Sequence, residues 1–269
     1  MKTYKAAVVQ MNSQPDVALN LKEARRWIRA AADEGTELVG LPEYFSFLGH
    51  LSQRKKRADK ISRRSYNFLK ETAAEFNIYL LGGTIPVPAD DGRTYNRSLL
   101  FNPAGDVVAK YDKIHLFDVE LSDSEQYRES DDIKPGENKP VTYTTDSLGT
   151  LGLSVCYDLR FPELYRALID QHADLITVPS AFTATTGKDH WEPLLQARAI
   201  ENTAYVFAPA QTGTHGETRK THGNAMIIDP WGDIIAHAGT DPGIAIATID
   251  PARMKQVRNK IPSLLHRVL

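Results

Sequence analysis

Short apolar runs alternate along the chain with stretches in which hydrophobic residues recur every three or four positions. The run Tyr4–Met11 has the length and apolar content of a buried strand. After it, Asn20 and Glu23 stand at capping-box spacing, apolar residues follow on one helical face, and Gly35 marks the stop. Glu37–Leu41 is predicted to be the second strand, so the chain begins with a strand–helix–strand unit.

The same order of elements recurs in the second half of the chain. Further strands are predicted at residues 78–84, 98–101, 107–111, 151–155, 174–179, 205–209 and 243–249, and further helices at 65–76, 162–172, 191–202 and 251–260. Asp118–Lys139 is polar and aperiodic and is predicted to be a long loop. No linker separates the halves. We therefore expect one α/β domain over residues 1–269, with two mixed sheets packed face to face and helices outside, a four-layer α-β-β-α sandwich.

The composition is that of an ordinary globular protein without a charge bias. Hydrophobic residues make up 42% of the 269 residues and charged residues 25%, which excludes a disordered chain. The net charge of −2 offers no electrostatic footprint for nucleic acid or an anionic membrane. No apolar run approaches the roughly 18 residues of a membrane span. We expect a soluble cytoplasmic protein with neither a nucleic-acid nor a membrane partner, and we expect the basic segment 54–60 to be solvated surface.

The single cysteine, Cys156, excludes an intramolecular disulfide and a cysteine-rich zinc site, and it favours a reducing compartment. It directly follows an apolar strand, and Pro162 suits the first turn of the helix that comes next. Near a helix N-terminus the local field favours the nucleophilic thiolate. A cysteine in this place can equally be a small buried hydrophobic residue. No phosphate-binding glycine motif is present, and His215 and His222 lack a third metal ligand, so no cofactor or metal is expected.

Two charged residues follow predicted strands as Cys156 does. Glu43 stands just past the second strand with aromatic residues after it, where an apolar pocket would raise the pKa of its carboxyl and suit a general base. Lys113 closes the strand predicted at 107–111. Each residue alone could be a surface residue, but α/β sheets commonly place their active sites at strand ends. The three residues are therefore candidates for one site.

The segments around these residues resemble the nitrilase superfamily of carbon–nitrogen hydrolases. The matching segments are LPEYF at 41–45, YDKIHLFD at 111–118, LSVCYDLRFPELYRAL at 153–168, VPSAFTATTGKDHWEPLLQARAIEN at 178–202 and DPWGDIIAHAG at 229–239. The resemblance covers essentially the whole chain. It implies a nitrilase-like sandwich, a homodimer and a Glu–Lys–Cys triad, formed here by Glu43, Lys113 and Cys156.

The resemblance also implies a role for each residue of the site. Glu43 would take the proton of Cys156, whose sulfur would attack an amide carbonyl and form a thioester. Lys113 and the backbone N–H of Tyr157 would hold the oxyanion. Glu129, in the long polar segment, would orient Lys113. Four further residues would bind the substrate: Arg160, His115, Phe182 and Thr186.

Within the superfamily, the chain resembles the amidase branch that acts on amides of 2-oxo acids. In that branch, the text TGKDHWEPLLQARAIEN and residues 208–213 resemble the type that acts on deaminated glutathione more than the ω-amidase type. The resemblance implies the activity of a deaminated glutathione amidase, which releases 2-oxoglutarate and Cys-Gly. The alternatives are an ω-amidase acting on 2-oxoglutaramate or 2-oxosuccinamate, and a nitrilase.

Two hypotheses lie outside this branch. A binding protein that keeps the fold without catalysis would tolerate the loss of Cys156. A papain-type hydrolase with His115 as its base would depend on His115 as much as on Glu43.

Overall fold

The computed structural model describes residues 1–123 and 125–268. Ser124, within the predicted loop, and Leu269, at the end of the predicted domain, lie outside the described residues. Helices α1–α6 lie at Val17–Asp33, Leu51–Lys56, Ala58–Phe76, Pro162–Asp170, Ala184–Asn202 and Pro251–Lys260. Strands β1–β17 lie at Tyr4–Met11, Leu38–Gly40, Tyr79–Leu81, Ile85–Pro88, Thr94–Phe101, Val107–Asp112, Asp118–Ser122, Glu125–Arg128, Val141–Thr145, Gly149–Leu153, Leu175–Thr177, Tyr205–Ala208, Ala210–His215, Arg219–His222, Met226–Ile228, Ile234–His237 and Gly243–Ile249.

Most of these strands belong to two mixed sheets. In the first sheet the hydrogen-bonded order is β14-β13-β1-β2-β3-β5-β4, with β17 paired to β1 and β6 paired to β5. In the second sheet the order is β16-β15-β12-β11-β10-β9. The parallel neighbours β1, β2 and β3 and the parallel neighbours β10, β11 and β12 lie away from the sheet edges. Strands in such positions are buried on both faces, which explains why they read as continuous apolar runs.

Successive residues of β1 pack into different hydrophobic cores, as the pleat of a strand requires. Ala6 and Val8 belong to the core between the sheets, together with Phe207 of the second sheet. Ala7 packs on the opposite side with α1 and α3, while α4 and α5 pack on the second sheet. The sheets approach so closely that a Cβ on Gly40 would lie 2.2 Å from the Phe207 ring. The predicted four-layer α-β-β-α sandwich is confirmed.

The start of α1 differs from its prediction. The helix begins at Val17, because the carboxylate of Asp16 accepts hydrogen bonds from the backbone amides of the first turn and caps it. Asn20 lies inside the helix. Its Oδ1 accepts from the backbone N–H of Gln14 at 2.8 Å, and its Nδ2 donates to the carbonyl of Gln14 at 2.6 Å. Asn20 therefore holds the preceding loop and does not cap the helix.

The predicted loop at 118–139 is wrong in its first part. Asp118–Ser122 pairs antiparallel with Glu125–Arg128, and a 3-10 turn follows at Glu129–Asp131. Both strands of this hairpin alternate between exposed and half-buried residues and contribute nothing to the main core. The alternation of apolar residues is short, with only Val119 and Leu121 in the first strand and Tyr127 in the second, and it lies within a polar segment. In the described ranges, no helix is long and apolar enough to cross a membrane.

Candidate active site

Three strand ends converge on one narrow cavity that is lined by Glu43, Lys113 and Cys156. Glu43 follows β2, Lys113 directly follows β6, and Cys156 follows β10. These residues are 1%, 2% and 8% exposed, respectively. The structure thus brings together, away from bulk water, a carboxylate, an ammonium group and a thiol that lie far apart in the sequence.

The carboxylate of Glu43 is fixed by donors on both of its oxygens. Oε1 accepts from Asn96 Nδ2 at 2.8 Å and from Lys113 Nζ at 3.2 Å. Oε2 accepts from the backbone N–H of Ala181 at 2.9 Å. Gln211 holds the backbone of the same residue, because its Nε2 donates to the Glu43 carbonyl at 3.0 Å. A carboxylate group can accept about four hydrogen bonds, and that of Glu43 accepts three, so it can accept one more.

Lys113 lies between two buried carboxylates. Its Nζ donates to Glu129 Oε2 at 2.8 Å and to Oε1 at 3.1 Å. Glu129 also accepts from the Tyr44 hydroxyl and from the backbone N–H of Phe117, both at 2.7 Å. Burial by itself would lower the pKa of Lys113, but the charges of Glu129 and Glu43 raise it well above its ordinary value. Burial would raise the pKa of Glu129, and the lysine and these hydrogen bonds lower it instead.

Cys156 occupies a sharp turn between β10 and α4. Its φ of 49° lies in the left-handed region, which a residue with a side chain adopts only when its surroundings enforce it. Asp158 provides that constraint: its Oδ2 accepts from the backbone N–H of Val155 at 2.8 Å and from the Tyr111 hydroxyl at 2.7 Å. The turn is also held by Arg198, whose Nη2 donates to the carbonyl of Leu159 at 2.8 Å.

The thiol of Cys156 is neutral in this structure. Burial raises its pKa, the negative charge of Glu43 raises it further, and Lys113 opposes them only in part. The expectation that the helix N-terminus favours a thiolate is therefore wrong. The cysteine lies in the 3-10 turn before α4 and not in the first turn of that helix, so desolvation outweighs the helix field. A buried thiol of this kind needs a base to become a nucleophile.

Of the four predicted substrate-binding residues, Phe182 and Thr186 line the cavity. Thr183 caps α5 and thereby places Thr186 in the first turn of this helix, which begins seven residues before its predicted start at Trp191. The guanidinium carbon of Arg160 lies 5.8 Å from the centre of the Tyr157 ring and 5.5 Å from the centre of the Phe182 ring. Its Nη2 is 3.2 Å from His190 Nδ1.

His115, the other predicted binding residue, supports the cysteine turn. Its Nδ1 is 2.7 Å from Asp158 Oδ1, and its backbone N–H donates to the same oxygen at 3.1 Å. Its ring stacks on Phe161 with a centroid distance of 3.7 Å. Neither His115 nor Arg160 is among the described residues that line the cavity.

Arg54 is a site residue that the sequence analysis placed on the surface. It is 2% exposed, its guanidinium lies 4.4 Å from the centre of the Tyr44 ring, and its Nη2 donates to Asn96 Oδ1 at 3.1 Å. Because the Asn96 amide donates to Glu43, Arg54 is connected to the carboxylate through one side chain. No local signal marks Arg54, because it stands in a run of basic residues whose other members are not buried.

Beyond this cavity lies a larger outer cavity of about 670 Å³. Leu51, Tyr127 and Arg219 line both cavities and form the wall between them. Neither Asn96 nor Arg219 was singled out by the sequence, because no local pattern distinguishes a polar strand residue that faces a site. As far as the described chain extends, no group of three His, Cys, Asp or Glu side chains could hold a metal ion.

Comparisons with known proteins agree with this fold. The chain is 54% identical over 270 residues to a deaminated glutathione amidase of Synechocystis, covering 100% of this chain and 99% of the relative. It is 35% identical to the human protein named Omega-amidase NIT2, covering 97% and 94%. The crystal structure of the C. elegans NitFhit protein superposes with a TM-score of 0.92 at 37% identity, covering 100% of this chain and 66% of that chain. Because residues 5–259 also match the carbon-nitrogen hydrolase family, the predicted family is confirmed, and this chain belongs to the carbon-nitrogen hydrolases.

Proposed function

We propose that this protein is a thiol amidase that hydrolyses deaminated glutathione to 2-oxoglutarate and Cys-Gly. The observation that carries the proposal is the convergence of Glu43, Lys113 and Cys156 on one buried cavity. The choice of substrate is supported by the Synechocystis relative, which carries this name and is 54% identical along the whole chain. The ω-amidase relative is more distant at 35% identity, so its activity is the second candidate.

In the proposed acylation, Glu43 takes the proton of the Cys156 thiol while the sulfur attacks the amide carbon. The carbonyl oxygen becomes an oxyanion and is stabilised by the Lys113 ammonium group and the backbone N–H of Tyr157. Glu43, now protonated, gives this proton to the departing amine nitrogen as the C–N bond breaks. The acyl group remains on the sulfur as a thioester.

In the proposed deacylation, Glu43 takes a proton from water as the water oxygen attacks the thioester carbon. The oxyanion again forms between Lys113 and Tyr157. When the C–S bond breaks, Glu43 returns the proton to the sulfur of Cys156, and the acid is released. Each half-reaction uses the same carboxylate twice, which agrees with a neutral thiol at rest and with the hydrogen bonds that fix Glu43.

The surrounding residues have supporting roles in this proposal. Glu129 holds the Lys113 ammonium group in place. Phe182 and Thr186 contact the acyl chain from the cavity wall. Direct binding of substrate by Arg160 and His115 stays a prediction, because neither lines the cavity described here.

The test is a comparison of kcat/KM for deaminated glutathione and 2-oxoglutaramate, measured by release of 2-oxoglutarate, with Cys156→Ala as control. A preference of tenfold or more for deaminated glutathione, about 1.4 kcal/mol of transition-state binding, is the expected result. A preference for 2-oxoglutaramate would make the enzyme an ω-amidase. Unchanged turnover by Cys156→Ala would exclude the thioester mechanism, and equal damage by His115→Asn and Glu43→Gln would favour a Cys–His mechanism.

We also propose that the protein is a cytoplasmic homodimer. The solitary cysteine at the centre of the site supports a reducing compartment, where thiols are kept unoxidised. Self-association is supported by apolar residues near the C-terminal end, Leu265 and Val268, which are largely exposed in the single chain. Light scattering at micromolar concentration should give twice the mass of the chain, and a stable monomer would contradict the dimer.

A further inference from the structure

Arg219 lies in the wall between the two cavities. Within residues 1–123 and 125–268 its side chain makes no hydrogen bond or ion pair, and its Nε is buried and has no acceptor. Its guanidinium lies near the rings of Tyr44 and Tyr127, at 5.4 and 5.9 Å. Arg54 and Arg160, by contrast, are each in contact with a neighbouring polar side chain. Arg219 therefore keeps its donors available for a ligand.

The strand that carries Arg219 is held in a fixed position. In the β13–β14 ladder Arg219 pairs with His215. His215 Nδ1 donates to the carbonyl of Ser13 at 2.7 Å, and its Nε2 accepts from the Thr221 hydroxyl at 2.6 Å. Burial lowers the pKa of His215 to about 4, so the ring is neutral at physiological pH. The ladder pair next to the turn is thus held by His215, and this fixes the backbone from which Arg219 faces the cavities.

Three acidic residues line the outer cavity: Asp131, Asp132 and Glu217. Asp132 pairs with Lys55 at 3.1 Å, and in the described part of the chain neither these three nor any other acidic side chain forms an ion pair with Arg219. A guanidinium binds a carboxylate by charge-assisted hydrogen bonds. Because the Nε of Arg219 is a buried donor without an acceptor in the described residues, we expect its ligand to be an anion.

The positions of the two cavities indicate which end of a substrate would supply the carboxylate. The inner cavity, with Cys156, is narrow, about 30 Å³, against about 670 Å³ for the outer one. During the proposed reaction the acyl group stays bound to the sulfur in the inner cavity. Leu51, Tyr127 and Arg219, which line both cavities, therefore stand where a departing amine can leave toward the outer cavity. A dipeptide extends about 7 Å, which places its terminal carboxylate beyond the scissile nitrogen, on the side of the outer cavity.

We infer that Arg219 binds a carboxylate on the leaving-group side of the scissile amide and so selects substrates whose leaving group is a peptide with a free C-terminal carboxylate. This inference rests on the proposed amidase function and specifies the part of the substrate that the function leaves unassigned. A substrate that releases only ammonia, such as 2-oxoglutaramate, has no group to place against Arg219. The arginine is therefore a determinant of specificity between two substrates that share the same acyl group.

The experiment measures kcat/KM for three substrates: deaminated glutathione, the same compound with its glycine carboxylate converted to an amide, and 2-oxoglutaramate. The proteins are the wild type, Arg219→Gln and the matched control Lys220→Gln, which changes the exposed neighbour on the same strand. In the wild type we expect the free acid to be preferred over its amide by about 10- to 100-fold, the value of one hydrogen bond to a charged group. Arg219→Gln should lose this preference and should lose far less activity on 2-oxoglutaramate than on deaminated glutathione, while Lys220→Gln should match the wild type.

Each other outcome overturns the inference, and the outcomes are distinguishable from one another. Equal losses on all three substrates would place Arg219 on the acyl side or give it a structural role. If Arg219→Gln does not fold, the wild type still decides, because equal rates with the free acid and the amide analogue would exclude a carboxylate site. A wild type that hydrolyses none of the three would overturn the proposed function together with this inference.

Discussion

Lys113 donates hydrogen bonds to both carboxylate oxygens of Glu129, at 2.8 and 3.1 Å. Its contact with Glu43 is a single one at 3.2 Å. The ammonium group is therefore anchored by Glu129, and Glu43 is bound to it by one longer contact. This asymmetry separates two carboxylates that lie beside the same cation: one fixes the charge, and the other stays available for proton transfer.

This asymmetry predicts different losses of kcat for Glu43→Gln and Glu129→Gln. Glu43→Gln removes the proposed base and should lower kcat by about 10⁴-fold. Glu129→Gln should lower kcat by about 100-fold, as loss of one oxyanion donor does, because Lys113 would then turn toward Glu43 and reduce its basicity. Steady-state kinetics on the amide substrate measures both effects. Glu137→Gln, an exposed change in the same segment, is the control, and a Glu129→Gln protein with wild-type kcat would contradict the assigned role.

Alkylation of Cys156 should report its raised pKa. Since burial and Glu43 keep the thiol protonated, the rate of reaction with iodoacetamide should be slow at pH 7 and continue to rise through pH 9. A free thiol such as that of glutathione, measured in parallel, levels off once the pH passes its own pKa, near 8.5. A rate for Cys156 that reaches its plateau below pH 7 would show a stable thiolate and contradict the neutral resting state.

His215 should make the protein less stable in acid. The pKa of histidine is near 6.5 in an unfolded chain and about 4 in this fold, so between these pH values only the unfolded state binds the proton. The contribution of neutral His215 to stability is thus fully present above pH 6.5, and the free energy of unfolding should decrease by about 3 kcal/mol as the pH falls to 4.

Urea unfolding at pH 7 and pH 4.5 measures this decrease. His215→Asn should be less stable at pH 7 but lose less stability between the two pH values, because asparagine does not titrate. His266→Asn, at an exposed position, should keep the wild-type dependence. An unchanged dependence in His215→Asn would exclude this histidine as its source.

Arg54 should be needed for both stability and activity. Arg54→Met removes a buried cation from beside Tyr44 and Asn96, and breaking a buried charged network from one side costs about 3 kcal/mol. Asn96 would then lose its constraint and orient Glu43 less well, so kcat should fall while KM changes little. Unfolding and kinetics of Lys56→Met, an exposed neighbour in the same basic segment, provide the control. Equal behaviour of the two variants would mean that Arg54 has no part in the site.

The sequence determined the elements whose evidence is local. A strand that is buried at nearly every position, such as Tyr4–Met11, is mostly apolar, and its predicted bounds agree with the structure. The segments around Glu43, Lys113 and Cys156 carry enough specific residues to indicate the family, which the comparisons confirm. The pairing of Asp118–Ser122 with Glu125–Arg128 was missed because these strands lie outside the core, and their few apolar residues stand in a polar segment.

The tertiary structure alone decided properties that depend on residues distant in the chain. The protonation of Cys156 could not be read from its turn, because it depends on burial and on Glu43. Arg54 is indistinguishable in sequence from its solvated neighbours until the fold places Tyr44 and Asn96 around it. Arg219 becomes a candidate ligand-binding residue only because the folded chain surrounds it with two rings and no acceptor. Local sequence specifies which groups are available, whereas desolvation and pairing arise from long-range contacts, and these set the charge and the chemistry of each group.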